Sequence, residues 1–288
     1  MLIREALAQG GADLKYAGIK TPGLDASLLL AHILKTDRAK IIARETDSIS
    51  DEESESYCKL LERRAHGECT AYLIGKKEFR GLEFDVNPFV LVPRPETETL
   101  VETAIGIVQK KLQDNSHTNI LDLCTGSGAV AISLKNEIPI CEITAIDISS
   151  NALKTAIQNA EKLLSDNYID FLQGDLYSAL PSPLHAPFSL IVSNPPYIAS
   201  DEIQTLSAEV QNEPRLALDG GVSGLEIITR IINKAPDYLK QNGYLLLEAD
   251  PRQMEQIKIL LGKNKFKDIQ LYKDLSGANR VIGGRFEK

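Results

Sequence analysis

Along residues 1–73 apolar side chains recur every three or four positions in LIREALAQGGADLKYAG, LDASLLLAHIL and DEESESYCKLLERRAHG, the spacing of amphipathic helices. Asp51, Glu52 and Glu53 place acid at the start of the third segment, and Arg63 and Arg64 place base near its end; both complement a helix dipole, and the two arginines read as a solvated helix end. Thr21-Pro22-Gly23 and Gly67 interrupt the pattern, so residues 1–73 are expected to form a small helical bundle. Over 74–96 the period changes. KKEFRGLEFDVNPFVLVPRPE has short alternating runs around Gly81 and three prolines, which predicts a hairpin at roughly 77–86 and a connector. ETETLVETAIGIVQKKLQ then returns to helical spacing.

From residue 118 onward, strands are expected at 119–123, 142–147, 168–173, 188–193, 243–248, 266–272 and 279–285. Helices fall between them, among them 127–136, 150–164, 222–240 and 251–262. Apolar strands alternating with helices imply a mostly parallel sheet covered on both faces. KFKDIQLYKD and ANRVIGGRF leave no room for a crossover helix and should end the sheet as an antiparallel hairpin. The predicted class is α/β: a helical domain at 1–73, a hairpin and connector at 74–96, and a larger α/β domain at 97–288.

Composition narrows the function classes. At 288 residues, with 43% hydrophobic and 25% charged side chains, the chain reads as an ordinary soluble globular protein. No stretch approaches an uninterrupted apolar span, and MLIREALAQGGADLK carries acids without a secretory core, so neither a membrane anchor nor a leader is expected. Cys58, Cys69, Cys124 and Cys141 are scattered, which fits a reducing cytoplasm better than a disulfide framework or a zinc site. A net charge of −8 argues against holding duplex DNA by broad phosphate neutralisation, although a local basic groove remains compatible with it. His117 and His185 lie in polar loops and are assigned no role.

NILDLCTGSGAVAISL reads as a strand, a glycine-rich turn and a helix, with Gly126, Gly128 and Ala131 in the dinucleotide-type spacing. Asp147 ends the next strand nineteen residues beyond Gly128, where an acid grips ribose hydroxyls. A nicotinamide dinucleotide and S-adenosylmethionine (SAM) both satisfy this pattern. Asp122, under the turn, favours SAM if it meets the ammonium of a methionine half, and is a turn cap otherwise. Asp175 in FLQGDLYSAL either accepts from an adenine amino group, with Leu176 on the ring, or caps the helix that follows.

FSLIVSNPPY places Asn194-Pro195-Pro196-Tyr197 at the end of an apolar strand, the edge where open α/β sheets bind ligands. The Asn194 side-chain oxygen and the Pro195 carbonyl can accept from the two N–H bonds of a planar NH2 group. The prolines fix the backbone in advance, and Tyr197 can stack on the flat substrate group. Such a claw localises the nitrogen lone pair for in-line attack on a methyl sulfonium, with catalysis coming mainly from proximity and orientation.

Together DLCTGSG (122–128), ID (146–147) and NPPY (194–197) resemble the seven-stranded SAM-dependent methyltransferases that act on planar nitrogen, a group shared by adenine-N6 DNA and glutamine-N5 enzymes. GECTAYLIGKKEFRGLEFDVNPFVLVPRPETETLVE (67–102), NEPRLALDGGVSGLEIITRII (212–232), GYLLLEAD (243–250) and DLSGANRVIGGR (274–285) are similar to the peptide chain release factor glutamine methyltransferases. That resemblance spans nearly the whole chain. It implies methyl transfer from SAM to the glutamine of a Gly-Gly-Gln loop in the release factor. It also implies cofactor contacts from Asp122, Cys124, Thr125, Gly126, Ser127, Gly128, Asp147, Asp175, Leu176 and Asn194. The glutamine would be held by Asn194, Pro195, Pro196 and Tyr197, with Asn194, Pro195 and Tyr197 as the catalytic group. Departures are Cys124 where glycine is common, Leu176 where an aromatic is common, and Glu248-Ala249-Asp250 in place of Glu-x-Gly.

A ribosomal-protein glutamine methyltransferase, an adenine-N6 DNA methyltransferase and a non-catalytic scaffold remain alternatives. The Pro-Arg-Pro-Glu-Thr-Glu run counts against the first, the acidic balance against the second and the intact claw against the third. A cytoplasmic monomer is expected, with release factors as partners, no direct nucleic-acid partner and no metal. Arg94 and Glu96 either order the connector, bind the release factor or form a salt-bridged linker, and Glu213-Pro214 reads either as the start of a loop over the substrate or, in preference, as a plain loop.

Overall fold

The computed structural model describes residues 1–111, 118–165, 168–181 and 188–288; His117 and His185 lie outside the described residues. The chain divides into two compact units, Met1–Lys76 with Leu206–Asn212, and Lys77–Thr205 with Glu213–Lys288.

The first unit contains α1 (Ile3–Tyr16), α2 (Pro22–Ile33), α3 (Arg38–Ala43), α4 (Asp51–Ala65) and α5 (Thr70–Ile74). Leu14, Leu29, Leu30, Ile41 and Tyr57 form its core. The third helix of the sequence pattern begins at a capping box: Ser50 Oγ accepts from the Glu53 N–H and Glu53 Oε2 accepts from the Ser50 N–H. Arg64 departs from expectation. Only 4% exposed, its guanidinium donates to Asp25 Oδ2 at 2.8 Å and Glu209 Oε2 at 2.9 Å. A charge removed from water must be paired in this way. Arg63 does sit at the surface, bound to Glu68.

The second unit begins within β1 (Lys76–Phe79) of a hairpin completed by β2 (Leu82–Asp85), whose Phe79 and Phe84 rings pack edge to face with centroids 6.1 Å apart. There follow α6 (Glu98–Lys111), β3 (Asn119–Leu123), α7 (Ala129–Glu137), β4 (Glu142–Asp147), α8 (Ser150–Leu163), β5 (Asp170–Gln173) and β6 (Phe188–Ser193). The short α9 (Ala208–Gln211) falls in the first unit's Leu206–Asn212 segment. Then come α10 (Arg215–Leu218), α11 (Glu226–Tyr238), β7 (Leu239–Glu248), α12 (Met254–Lys263), β8 (Phe266–Lys273) and β9 (Asn279–Phe286).

The seven strands run in the order β5-β4-β3-β6-β7-β9-β8. The first five in this order pair in parallel, whereas β9 is antiparallel to both β7 and β8, as the missing crossover helix requires. Successive side chains point to opposite faces. Ile120, Leu190, Val192 and Leu246 join one core with α6 and α7, while Leu121, Leu123, Ile191, Leu245 and Leu247 join another with α11 and α12. All six residues of β6 are buried, which fits its mostly apolar sequence. Strand order reverses between β3 and β6: β3 is followed in sequence by β4 on one side, and β6 lies on the other. The carboxyl ends at such a switch point form a crevice.

The largest departures from the expected boundaries lie around β7. β7 starts at Leu239, inside the helix expected at 222–240, because Leu239 pairs with Phe188 before the register shifts. The helix there is confined to Glu226–Tyr238.

Candidate active site

The turn after β3 is built from strained and close-packed backbone. Cys124 has φ of 62°, Gly126 57° and Gly128 81°, all in the left-handed region. A Cβ on Gly128 would lie 2.8 Å from Ile132 Cδ1 and 3.2 Å from Ala156 Cβ, so glycine is required there. The turn is stitched to β4, since the Thr125 N–H donates to the Ile146 carbonyl at 3.0 Å and the Gly126 N–H to Asp147 Oδ2 at 2.8 Å. Asp147 Oδ1 accepts from the Ser149 N–H at 2.9 Å. Burial raises the Asp147 carboxyl above the usual carboxylate range, and these N–H groups pull it back.

Asp122 lies beneath the turn, 1% exposed, with Thr125 Oγ1 donating to its Oδ2 at 2.6 Å. Burial pushes its carboxyl up to about 7, with Thr125 lowering it and the charge of Asp147 raising it. Burial also pushes the Cys124 thiol up, so it stays protonated. Leu176, after β5, is a second non-glycine residue in the left-handed region, at φ 53°. Asp175 makes no side-chain cap to the turn that follows; its Oδ2 accepts from Arg230 at 2.6 Å.

Across the switch point, Ser193 Oγ donates to the Leu123 carbonyl at 2.7 Å and ties the end of β6 to that of β3. Asn194 follows. Its Nδ2 donates to Thr97 Oγ1 at 3.2 Å. Neither Asn194 Oδ1 nor the Pro195 carbonyl has a hydrogen-bond partner among the described residues. The Tyr197 carbonyl accepts from Gln253 Nε2 at 2.9 Å, and the Ile198 N–H donates to Leu218. Gly220 and Gly224 back this segment closely: a Cβ on Gly220 would be 2.8 Å from the Pro196 carbonyl oxygen, and one on Gly224 2.4 Å from that of Tyr197. The GGVSG run therefore lets two stretches of backbone touch.

These elements enclose a cavity of about 280 Å³. Asp122, Cys124, Thr125, Gly126, Ser127, Asp147, Asp175, Leu176, Asn194 and Pro196 line it. Gly128, Pro195 and Tyr197 are not among its lining residues; the Tyr197 ring packs against the core on the α11–α12 face. Buried and near-buried acids, left-handed backbone and the open Asn194 Oδ1 meet in one crevice, a donor set that suits a cofactor with ribose hydroxyls and a cationic end.

Three contributions were not legible in the local sequence. Asn159, fully buried on α8, donates to the Asp85 and Ser127 carbonyls and accepts from the Asp85 N–H, joining the hairpin to the glycine turn. Glu213, read as part of a plain loop, is buried and accepts from Arg94 and from the Val92 N–H. Thr97, 4% exposed, holds Asn194. Each of these partners is distant in the chain, so no short motif announces it.

Residues 5–75 match the PrmC N-terminal domain family, and residues 99–274 match the Methyltransferase small domain family. The release factor glutamine methyltransferase of Burkholderia pseudomallei is 40% identical over 266 residues, 91% of each chain. That of Rhodopirellula baltica is 38% identical over 267 residues, 92% of this chain and 90% of the relative. Among solved structures, the hMettl16 catalytic domain shares the fold with a TM-score of 0.60 at 15% identity, covering 96% of this chain and 92% of that one. Sequence identity over nearly the full length, together with both family matches, shows that the chain belongs to the release factor glutamine methyltransferase family.

Proposed function

We propose that this chain transfers a methyl group from SAM to the side-chain amide nitrogen of the glutamine in the Gly-Gly-Gln loop of peptide chain release factors. Family membership supports the reaction and substrate class. The observation that carries the chemistry is the pair of unoccupied acceptors, Asn194 Oδ1 and the Pro195 carbonyl, at the carboxyl end of β6. The helical region 1–73 is assigned to docking the release factor. The enzyme is read as a cytoplasmic monomer whose partner is protein rather than nucleic acid; no helix among the described residues is long and apolar enough to cross a membrane.

SAM supplies an electrophilic methyl on a sulfonium. Asp147 would accept from ribose hydroxyls, Asp122 would pair with the ammonium, and Leu176 would pack on the adenine. Asn194 Oδ1 and the Pro195 carbonyl accept the two N–H bonds of the glutamine, drawing its lone pair out of conjugation. With SAM bound, the new N–C bond would form at the expense of the C–S bond. The N-alkylated amide then loses a proton to solvent, so no strong base is required.

The ammonium contact makes cofactor affinity pH-dependent. Burial leaves Asp122 titrating at about 7 in the free protein. Pairing with a cation requires the ionised form, so binding must expel a proton below that pH. The Kd for SAM is expected to rise up to tenfold per pH unit below about 7 and to flatten above it. Calorimetry in buffers of different ionisation enthalpy would read the released proton. A flat Kd between pH 6 and 8 would remove Asp122 from the ammonium.

The direct test is methyl transfer from labelled SAM to purified release factor, to the same factor with its loop glutamine changed to alanine, and to adenine-containing DNA. Label on the unaltered factor alone is expected. Label on DNA, or on the altered factor, would assign the claw to another acceptor.

A further inference from the structure

An asparagine side chain can sit in either of two nearly isosteric orientations that exchange its oxygen and NH2 group. In one, Asn194 Oδ1 faces the glutamine amide and accepts from it. In the other, NH2 faces NH2 and the claw repels what it should bind. Something must break the tie.

Thr97 ends the single turn Pro95–Thr97 that leads into α6. Its Oγ1 receives the Asn194 Nδ2–H, and the same hydroxyl lies near enough to Glu248 to draw that carboxyl down. Glu248 ends β7 one residue beyond the Ser193–Leu247 pair, and Asn194 follows Ser193 at the end of β6. It is 1% exposed, and its Oε2 has no hydrogen-bond partner among the described residues. The charged and titratable groups facing it are Arg280 from β9, Glu96 and Arg94 from the connector and Tyr197 from the claw.

We propose that Thr97 and Glu248 form a one-way hydrogen-bond relay that fixes the Asn194 amide with Oδ1 toward the acceptor glutamine. An ionised carboxylate can only accept, so the single Thr97 proton is committed to Glu248. Thr97 then offers only lone pairs to Asn194, and only the NH2 end can satisfy them. Oδ1 is left pointing at the substrate. Thr97 and Glu248 are positioning residues, acting through Asn194. The inference rests on the proposed role of Asn194 as an acceptor.

The relay has a proton-dependent sign. Burial pushes the Glu248 carboxyl up to about 7; Thr97, Arg280 and Arg94 draw it down and Glu96 raises it. Once protonated, Glu248 can donate, the Thr97 proton is released toward Asn194, and both amide orientations become available. At saturating SAM, kcat should therefore rise with pH through the neutral range. Saturation separates this from the pH dependence of cofactor affinity.

The test compares wild type, Thr97→Val, Thr97→Ser, Glu248→Gln and Asn194→Ala on full-length release factor, measuring kcat at saturating SAM from pH 6 to 8.5 and the Kd for SAM. Thr97→Val is expected to lower kcat about 10- to 100-fold with the Kd for SAM within threefold of wild type. Thr97→Ser, which keeps the hydroxyl, should retain kcat within about threefold. Glu248→Gln should lose the neutral-range rise in kcat, since the amide does not titrate. If Asn194→Ala is inactive while Thr97→Val is fully active, or if serine is as poor as valine, the relay is wrong and the claw stands. If Asn194→Ala keeps full kcat, the claw reading falls first. Should Thr97→Val fail to fold, the Glu248→Gln profile decides: a rise like that of wild type overturns the relay.

Discussion

Replacing Asn194 with alanine is expected to lower kcat for release factor methylation by about 10²- to 10³-fold, the usual consequence of deleting one preorganised group at the reacting centre. A glutamine nitrogen is a poor nucleophile because its lone pair is shared with the carbonyl. Removing one of two acceptors leaves the Pro195 carbonyl to hold one N–H bond, with nothing to draw the nitrogen out of plane. The backbone of the claw survives the change, since the Tyr197 carbonyl stays on Gln253 and Ile198 on Leu218. The loss should therefore appear in kcat, with the Kd for SAM changing less than tenfold. Asn194→Asp should fail as well. Its carboxylate would need the Thr97 proton that the proposed relay gives to Glu248, placing two buried acids around one hydroxyl. Single-turnover methylation, with thermal melts to show that each variant is folded, measures this. Either substitution retaining wild-type kcat would remove Asn194 from the reacting centre.

Much of this centre was visible in the chain because its parts are local. A buried parallel strand is a continuous apolar run, so β3, β4 and β6 emerge within a residue of their observed limits, and turn, acid and claw follow from what stands at their ends. Short helices are a different matter. At six and five residues, α3 and α5 hold too few turns to display a period. The start of β7 is hidden because the helix expected at 222–240 covers Leu239, whereas backbone pairing of Leu239 with Phe188 draws it into the sheet. Charge was the least legible property. Arg64 looks like any helix-end arginine until Asp25 and Glu209, from distant parts of the chain, enclose it. Asn159, Thr97 and Glu248 share that character: each is an ordinary polar residue whose purpose lies in partners brought close by the fold.

Asp147 carries the second large effect. Asp147→Ala is expected to weaken SAM binding about 100-fold, because hydrogen bonds to a charged acceptor contribute roughly 1.5–3 kcal/mol each and two ribose hydroxyls are available to it. The carboxylate does more than wait for the cofactor. One oxygen holds the Gly126 N–H and the other the Ser149 N–H, so alanine also frees the turn proposed to approach the cofactor. Asp147→Asn separates the two contributions only in part, since the amide keeps one acceptor oxygen but turns an NH2 toward one of those N–H groups. Donor against donor there should leave Asp147→Asn nearly as weak as alanine rather than intermediate. Melting in the absence of SAM reports the damage to the turn, and calorimetry reports the cofactor. A melting temperature lowered by a few degrees with the Kd unchanged within threefold would mean that Asp147 serves the turn alone. A Kd raised about 100-fold in both variants, with the ligand-induced rise in melting temperature correspondingly reduced, is the result the geometry predicts.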